Sequence, residues 1–247
     1  MVEPPLIAET AGVILIGTEI LSAKVREANL YGLATLLRKL GVELLRTSIL
    51  RDDVDEIADT VRSFSKRHDV VFTSGGVGPT HDDVTVIAVA RAFEREVVIV
   101  PELAEMIRAH YKERCTDAHL AMARGPAGTS LETGPDGVWP AMRCENVWML
   151  PGVPEIFAAK LRVVEARVQG LRPIYSRALY TQLDEPSLKD RLDAVVAAFP
   201  TVEFGSYPKW RGEDYQTKIT LDGKDNEAIE LALSALLQSF GEVVRVE

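Results

Sequence analysis

Three glycines fall within four residues in the segment Gly75-Gly76-Val77-Gly78-Pro79-Thr80-His81-Asp82-Asp83. Glycine lets the main chain turn through left-handed conformations and come into contact distance of a ligand. Between a buried strand and a helix, such a loop either presents unpaired N–H groups to an anion, a phosphate above all, or serves as a tight turn with no ligand. No Gly-Lys-Ser/Thr ends the loop and it lacks the G-x-G-x-x-G spacing, which excludes a P-loop and a dinucleotide fingerprint. Gly17-Thr18-Glu19 and Pro151-Gly152-Val153-Pro154-Glu155 follow apolar runs in the same manner. Thr18 either donates to a phosphate or caps a helix, Pro154 suits a first helical position, and Glu155 suits an acid-favouring first turn.

Asp82 and Asp83 stand where the next helix should begin, so one of them serves as an N-cap or both face the loop's guest. Two carboxylates beside a phosphate repel it unless a divalent cation intervenes, and Mg²⁺-type ions are commonly held by one or two carboxylates plus substrate phosphates. Asp52 ends the second strand and would share the carboxyl edge of the sheet, where open α/β proteins bind ligands. Asp53 reads instead as a helix cap, with Glu56 completing a capping-box pattern. His81 is the histidine best placed for acid–base work. His68, His110 and His119 show no metal-ligand spacing, and neither a G-x-S-x-G elbow nor an H-E-x-x-H pair occurs. Cys115 and Cys144 form no C-x-x-C pair and read as buried or idle thiols.

Positioning these loops requires strands that end together. Val13-Ile14-Leu15-Ile16, the run from Val42 to Leu50, Val70-Val71-Phe72-Thr73 and Val147-Trp148-Met149-Leu150 read as strands. Helical spacing intervenes at Leu30, Leu33, Leu37 and Leu40 before a Gly41 stop, at Ile57, Val61 and Phe64, from about Val84 to Phe93, from Pro101 to about Arg114, and from Pro154 to near Gly170. Residues from about Thr116 to Gly137 read as an irregular excursion. The alternation predicts an α/β domain over residues 1–172, a mainly parallel sheet flanked by helices. Residues 173–247 follow the order β-α-β-β-α-β, that of a small α+β ferredoxin-like domain.

The 247 residues carry a net charge of -9 with no cluster of Lys and Arg, so no nucleic-acid partner is expected. No apolar run approaches the roughly 18 residues that span a bilayer, and the acidic, proline-bearing stretch from Met1 to Thr10 is unlike a signal peptide, so no membrane association and a cytoplasmic location are expected.

Taken together, Ile16-Gly17-Thr18-Glu19-Ile20-Leu21, the segment from Gly75 to Thr85 and Leu150-Pro151-Gly152-Val153-Pro154-Glu155 resemble the molybdopterin-binding (MoaB/Mog-like) family, in particular its CinA amino-terminal branch. Val61-Arg62-Ser63-Phe64-Ser65, Gly205-Ser206-Tyr207-Pro208-Lys209-Trp210 and the run from Tyr215 to Asp222 are similar to the molybdopterin-binding-like domain of eukaryotic FAD synthase and the segment following it. The resemblance implies metal-dependent hydrolysis of nucleotide pyrophosphates of the FAD or ADP-ribose type, with a divalent ion (Mg²⁺, Mn²⁺ or Co²⁺) on Asp52 and Asp83 and no tightly bound organic cofactor. Catalysis would involve Asp83, Asp52, Asp82 and His81. The nucleotide or pterin would rest on Gly17, Thr18, Glu19, Gly75, Gly76, Gly78, Pro79, Thr80, Pro151, Gly152, Pro154 and Glu155. The alternatives are molybdopterin binding or adenylylation, and a non-catalytic nucleotide-binding module. Members of this fold associate, which implies a homo-oligomer, a dimer or trimer. Ser22-Ala23 stands where many relatives have Gly, and Val153 where molybdopterin adenylyltransferases often have Ser or Lys. With no FMN-adenylylating segment in the sequence, the chain by itself is expected not to synthesise FAD.

Overall fold

The computed structural model describes residues 4–134, 139–210, 214–241 and 243–247. Residues 1–3 of the amino-terminal stretch and 135–137 of the expected excursion lie outside them. The chain forms two compact units, Met1–Leu171 and Arg172–Glu247.

In the first unit the chain runs β1 (Thr10–Ile16), α1 (Asn29–Lys39), β2 (Glu43–Leu50), α2 (Val54–Ser65), β3 (Val70–Ser74), α3 (Thr85–Ala92), α4 (Pro101–Tyr111), β4 (Ser130–Glu132), β5 (Ala141–Cys144), β6 (Val147–Leu150) and α5 (Pro154–Arg167). A six-stranded sheet takes the order β2-β1-β3-β6-β5-β4. The four strands β2, β1, β3 and β6 are parallel, while β5 and β4 add an antiparallel edge.

The continuous apolar run of β1 has a direct cause, since successive side chains point to opposite faces and both faces are covered. Ile14 and Ile16 pack on one face with Ile57, Val61 and Phe64 of α2 and Val89 of α3. Val13 and Leu15 pack on the other with Leu33 and Leu37 of α1 and Phe157 and Val164 of α5. Each such aliphatic side chain contributes about 1.5–3 kcal/mol on burial. α2 starts as its sequence predicts, with the Asp53 carboxylate accepting from the Asp55 and Glu56 amides at 3.0 and 2.9 Å. Gly41 lies just past α1 with φ 81°, the left-handed stop that glycine permits.

The stretch expected to be irregular contains ordered elements, a short helix Asp117–Ala121 and strands Arg124–Pro126 and Ser130–Glu132. Its glycines and prolines punctuate three-residue strands too short to show periodicity. Arg124–Pro126 pairs with Val97–Ile99, and Leu6–Ile7 with Val168–Gln169, two further strand pairs absent from the sequence reading. Glu132, 4 % exposed, accepts from Arg143 Nε and Arg167 Nε at 2.7 and 2.8 Å. Burial pushes its carboxyl up, but the two guanidiniums outweigh that and hold it below the ordinary carboxylate range.

The second unit is β7 (Tyr175–Thr181), α6 (Glu185–Ala198), β8 (Glu203–Pro208), β9 (Thr217–Gly223), α7 (Asn226–Phe240) and β10 (Val243–Val246). Its sheet order, β8-β9-β7-β10 with every pair antiparallel, is the ferredoxin-like arrangement expected. Leu179, Ile219 and Leu221 pack against Leu188, Ile229, Leu233 and Leu236 of the two helices. No helix among the described residues is long and apolar enough to cross a membrane.

Two predictions follow from burial. Glu132→Gln keeps the shape but strips the charge shared by Arg143 and Arg167, and chemical denaturation should show a loss of about 3 kcal/mol. His68 is buried with neither ring nitrogen hydrogen-bonded. Its burial, then Arg46 and Arg67, hold the imidazole below its ordinary 6.5 against the opposing Asp69. The native state therefore binds fewer protons than the unfolded chain, so stability should fall as pH drops below 6.5 toward the depressed folded value. The urea midpoint should drop more between about pH 7.5 and 5.5 in the parent than in His68→Leu.

Candidate functional site

Because β2, β1, β3 and β6 are parallel neighbours, their carboxyl ends share one edge and the loops leaving them meet there. Gly17 N–H donates to the Leu50 carbonyl at 3.0 Å and Gly75 N–H to the Leu150 carbonyl at 3.1 Å. Gly75 has φ +104°, and a Cβ there would lie 2.1 Å from the Ile16 carbonyl oxygen, so only glycine fits. A Cβ on Gly152 would lie 3.2 Å from the Gly75 Cα. The Gly17, Gly75 and Gly152 bends are thus joined main chain to main chain.

The carboxylates are tied into the same edge. Asp52 Oδ2 accepts from the Thr18 amide at 2.9 Å, and the Asp52 amide donates to Thr18 Oγ1 at 3.3 Å. Asp83 Oδ1 accepts from Gly78 N–H at 2.7 Å and Oδ2 from Thr80 N–H at 2.8 Å. The Thr80 hydroxyl also contacts Asp83 and lies 2.7 Å from Asp82 Oδ1. That hydroxyl holds the Asp82 carboxyl below its ordinary range. The Glu19 carboxylate folds over Gly17, where an added Cβ would come 2.3 Å from Oε1.

One expectation is corrected here. The helix after the glycines begins at Thr85, within one residue of the expected start, but Val84 and not Asp82 or Asp83 stands at its N-cap, with no side-chain cap. Neither aspartate caps a helix. The chain turns through Pro79 to Asp83 first, because Asp83 satisfies the loop's own amides while Thr85 reaches back, its Oγ1 2.7 Å from the Gly75 carbonyl and its amide 2.9 Å from that of Gly76. The first loop likewise leads into only a four-residue helix, Thr18–Leu21, with Gly17 and not Thr18 at its N-cap. His81 is exposed, its Nδ1 3.9 Å from Asp82 Oδ1. Pro154 opens α5 and Glu155 sits in its first turn, as expected. Among the described residues the Gly76 and Val77 amides have no acceptor, and no three His, Cys, Asp or Glu side chains cluster closely enough to hold a metal.

Sequence reasoning missed Asn29, Glu27 and Ser74. Asn29, 7 % exposed, donates through Nδ2 to Ser74 Oγ at 3.0 Å and to the Gly152 carbonyl at 2.9 Å. Glu27 Oε1 accepts from the Asn29 and Leu30 amides at 2.6 and 2.8 Å, capping α1 where Ala28 cannot. Hydrophobic periodicity discards polar residues at a helix start, so their only sequence trace is their place before an amphipathic stretch.

The segment that carries these strand-end loops matches a known family. The model described as "Probable molybdopterin binding domain" matches residues 12–168, and the chain belongs to that family. The model described as "FAD synthase, middle domain" matches residues 173–247. A "Probable FAD synthase" of Caenorhabditis elegans is 32% identical over 92% of this chain and 49% of its own length. A protein of Archaeoglobus fulgidus is 33% identical over 90% of this chain and 93% of its own length. Among solved structures, a CinA protein of unknown function from Thermoplasma acidophilum aligns with TM-score 0.58 and 32% identity, over 64% of this chain and 96% of that one. The chain spans about half the length of the Caenorhabditis elegans relative and of a "Probable FAD synthase" of Caenorhabditis briggsae, 49% and 50%.

Gly75→Ala tests the packing of the edge. It forces a positive φ on alanine and a clash with Ile16, and should cost at least about 2 kcal/mol in chemical denaturation.

Proposed function

We propose that this edge binds the pyrophosphate of a dinucleotide such as FAD or ADP-ribose and hydrolyses it with the help of a divalent cation. The observation that carries the reading is the main-chain contact of the Gly17, Gly75 and Gly152 bends beside Asp52 and Asp83. The Gly76 and Val77 amides, with no acceptor among the described residues, are the donors for phosphate oxygens. Similarity to FAD synthases over nearly the whole chain supports a flavin nucleotide.

Glu19, Asp52 and Asp83 make the edge anionic, and a dianionic guest needs neutralisation there. The donor set suits a hard cation. Asp52 Oδ1 has no donor among the described residues, and Mg²⁺-type ions draw most of their ligands from water and phosphates. Asp52 and Asp83 would hold it, and when bound it neutralises phosphate charge and acidifies a coordinated water. The chain's own residues position the substrate. Amides of the glycine loop fix the pyrophosphate, and Thr18, locked to Asp52 in both directions, fixes that carboxylate. In the net reaction a water oxygen bonds to phosphorus, one bridging P–O bond breaks, and FAD yields FMN and AMP.

A second reading, a pterin ligand, is favoured by the description of the family matched over residues 12–168. Molybdopterin, unlike a simple pterin, carries a phosphate, so the glycine loop would serve it as it would FAD.

Incubation with FAD, ADP-ribose, NADH and CoA plus Mg²⁺, Mn²⁺ or Co²⁺ should release AMP from at least FAD or ADP-ribose, and EDTA should stop it. Asp52→Asn should slow turnover by about 100-fold. Absence of product with every pair, or Asp52→Asn and Asp83→Asn turning over like the parent, would overturn the hydrolase. Binding of molybdopterin without any nucleotide turnover would favour the second reading.

A further inference from the structure

Outside the residues just assigned, Asn29 is a buried polar residue at this edge that bonds two separate elements. It sits at the start of α1, far in sequence from what it touches, and its Nδ2 joins Ser74 Oγ, at the end of β3, to the Gly152 carbonyl, after β6. Ser74 Oγ in turn lies 3.4 Å from the Pro151 carbonyl. Two successive carbonyls, those of Pro151 and Gly152, are therefore drawn inward by one buried polar pair.

Among the described residues no peptide bond is cis. In a trans peptide the C=O and N–H point in opposite directions. Drawing the Gly152 carbonyl inward onto Asn29 therefore turns the Val153 N–H outward, and drawing in the Pro151 carbonyl turns out that of Gly152. Neither amide has an acceptor among the described residues, and Val153 is 51% exposed. Gly152 meanwhile rests against Gly75, so these amides stand beside the glycine loop.

We infer that Asn29 is a positioning residue that sets the orientation of the Gly152–Val153 peptide, so that the Val153 N–H faces the pyrophosphate of the ligand. The inference rests on the reading above only for the identity of the guest. It also gives Val153 a role that its side chain lacks, since the main chain and not a Ser or Lys side chain supplies the donor.

Asn29→Leu, nearly isosteric and uncharged, removes the donor while filling the space. Ser74→Ala keeps the Asn29 bond to Gly152 and removes only the Ser74 hydroxyl, so it separates the contributions of the two members of the pair. Crystal structures of the ligand-free parent and Asn29→Leu should show the Gly152–Val153 peptide turned in the variant. Flavin fluorescence titrations with FAD and with riboflavin, with and without Mg²⁺, supply a readout that structural damage alone would not move. Asn29→Leu should weaken FAD by about 10-fold or more, the scale of one charge-assisted hydrogen bond, and riboflavin by less than about 2-fold. Ser74→Ala should weaken FAD by less than Asn29→Leu does, and riboflavin by less than about 2-fold. A peptide unchanged in Asn29→Leu, or equal losses for FAD and riboflavin, would overturn the inference. A parent protein that binds FAD no better than riboflavin would overturn the pyrophosphate reading instead, while the peptide orientation still decides the role of Asn29.

Discussion

The contact of the Gly75 main chain with the Ile16 carbonyl is the constraint on which this edge depends. Four parallel strands end side by side, and the chain must leave each one without room for side chains between the bends. Gly75 meets Ile16, Gly152 meets Gly75, and Gly17 is bonded to Leu50. At Gly75 glycine is required because a β-carbon would overlap the Ile16 carbonyl, a demand that exists before any ligand is considered. The same absence of side chains leaves amides near the surface. Packing, and the binding proposed for this edge, would thus be two results of one geometric economy.

Electrostatics adds a second constraint. Glu19, Asp52 and Asp83 all stand at this edge, and Asp83 occupies donors of the very loop that a phosphate would seek. A carboxylate resting on Gly78 and Thr80 amides mimics an anionic guest and keeps the loop in shape. The sequence has no clustered run of Lys and Arg, so in the proposed reading neutralisation of a phosphate would fall to main-chain dipoles and to a bound cation.

Much of the fold was legible in the residues. Val13 to Ile16 could be read as a strand covered on both faces because each of its side chains is apolar, and the two cores confirm it. The ferredoxin-like order of the second unit followed from the β-α-β-β-α-β succession of segments read across residues 173–247. What escaped were pairings of two or three residues, such as Val97–Ile99 with Arg124–Pro126, where too few positions exist for a period to emerge. The N-cap alternative for Asp82 or Asp83 failed for a different reason. Aspartate before an apolar run has the pattern of a cap, but Asp83 found better donors in Gly78 and Thr80, behind it in the chain.

By itself the sequence determined which segments become strands and helices, and where the chain must bend on glycine. Those properties arise from neighbouring residues, through side-chain periodicity and backbone freedom. Only the tertiary structure decided which bends touch, that Thr18 and Asp52 are mutually bonded, and that Asn29 reaches both Ser74 and Gly152. Such contacts join residues 34 to 123 positions apart, and they come into being only when the parallel strands align their ends.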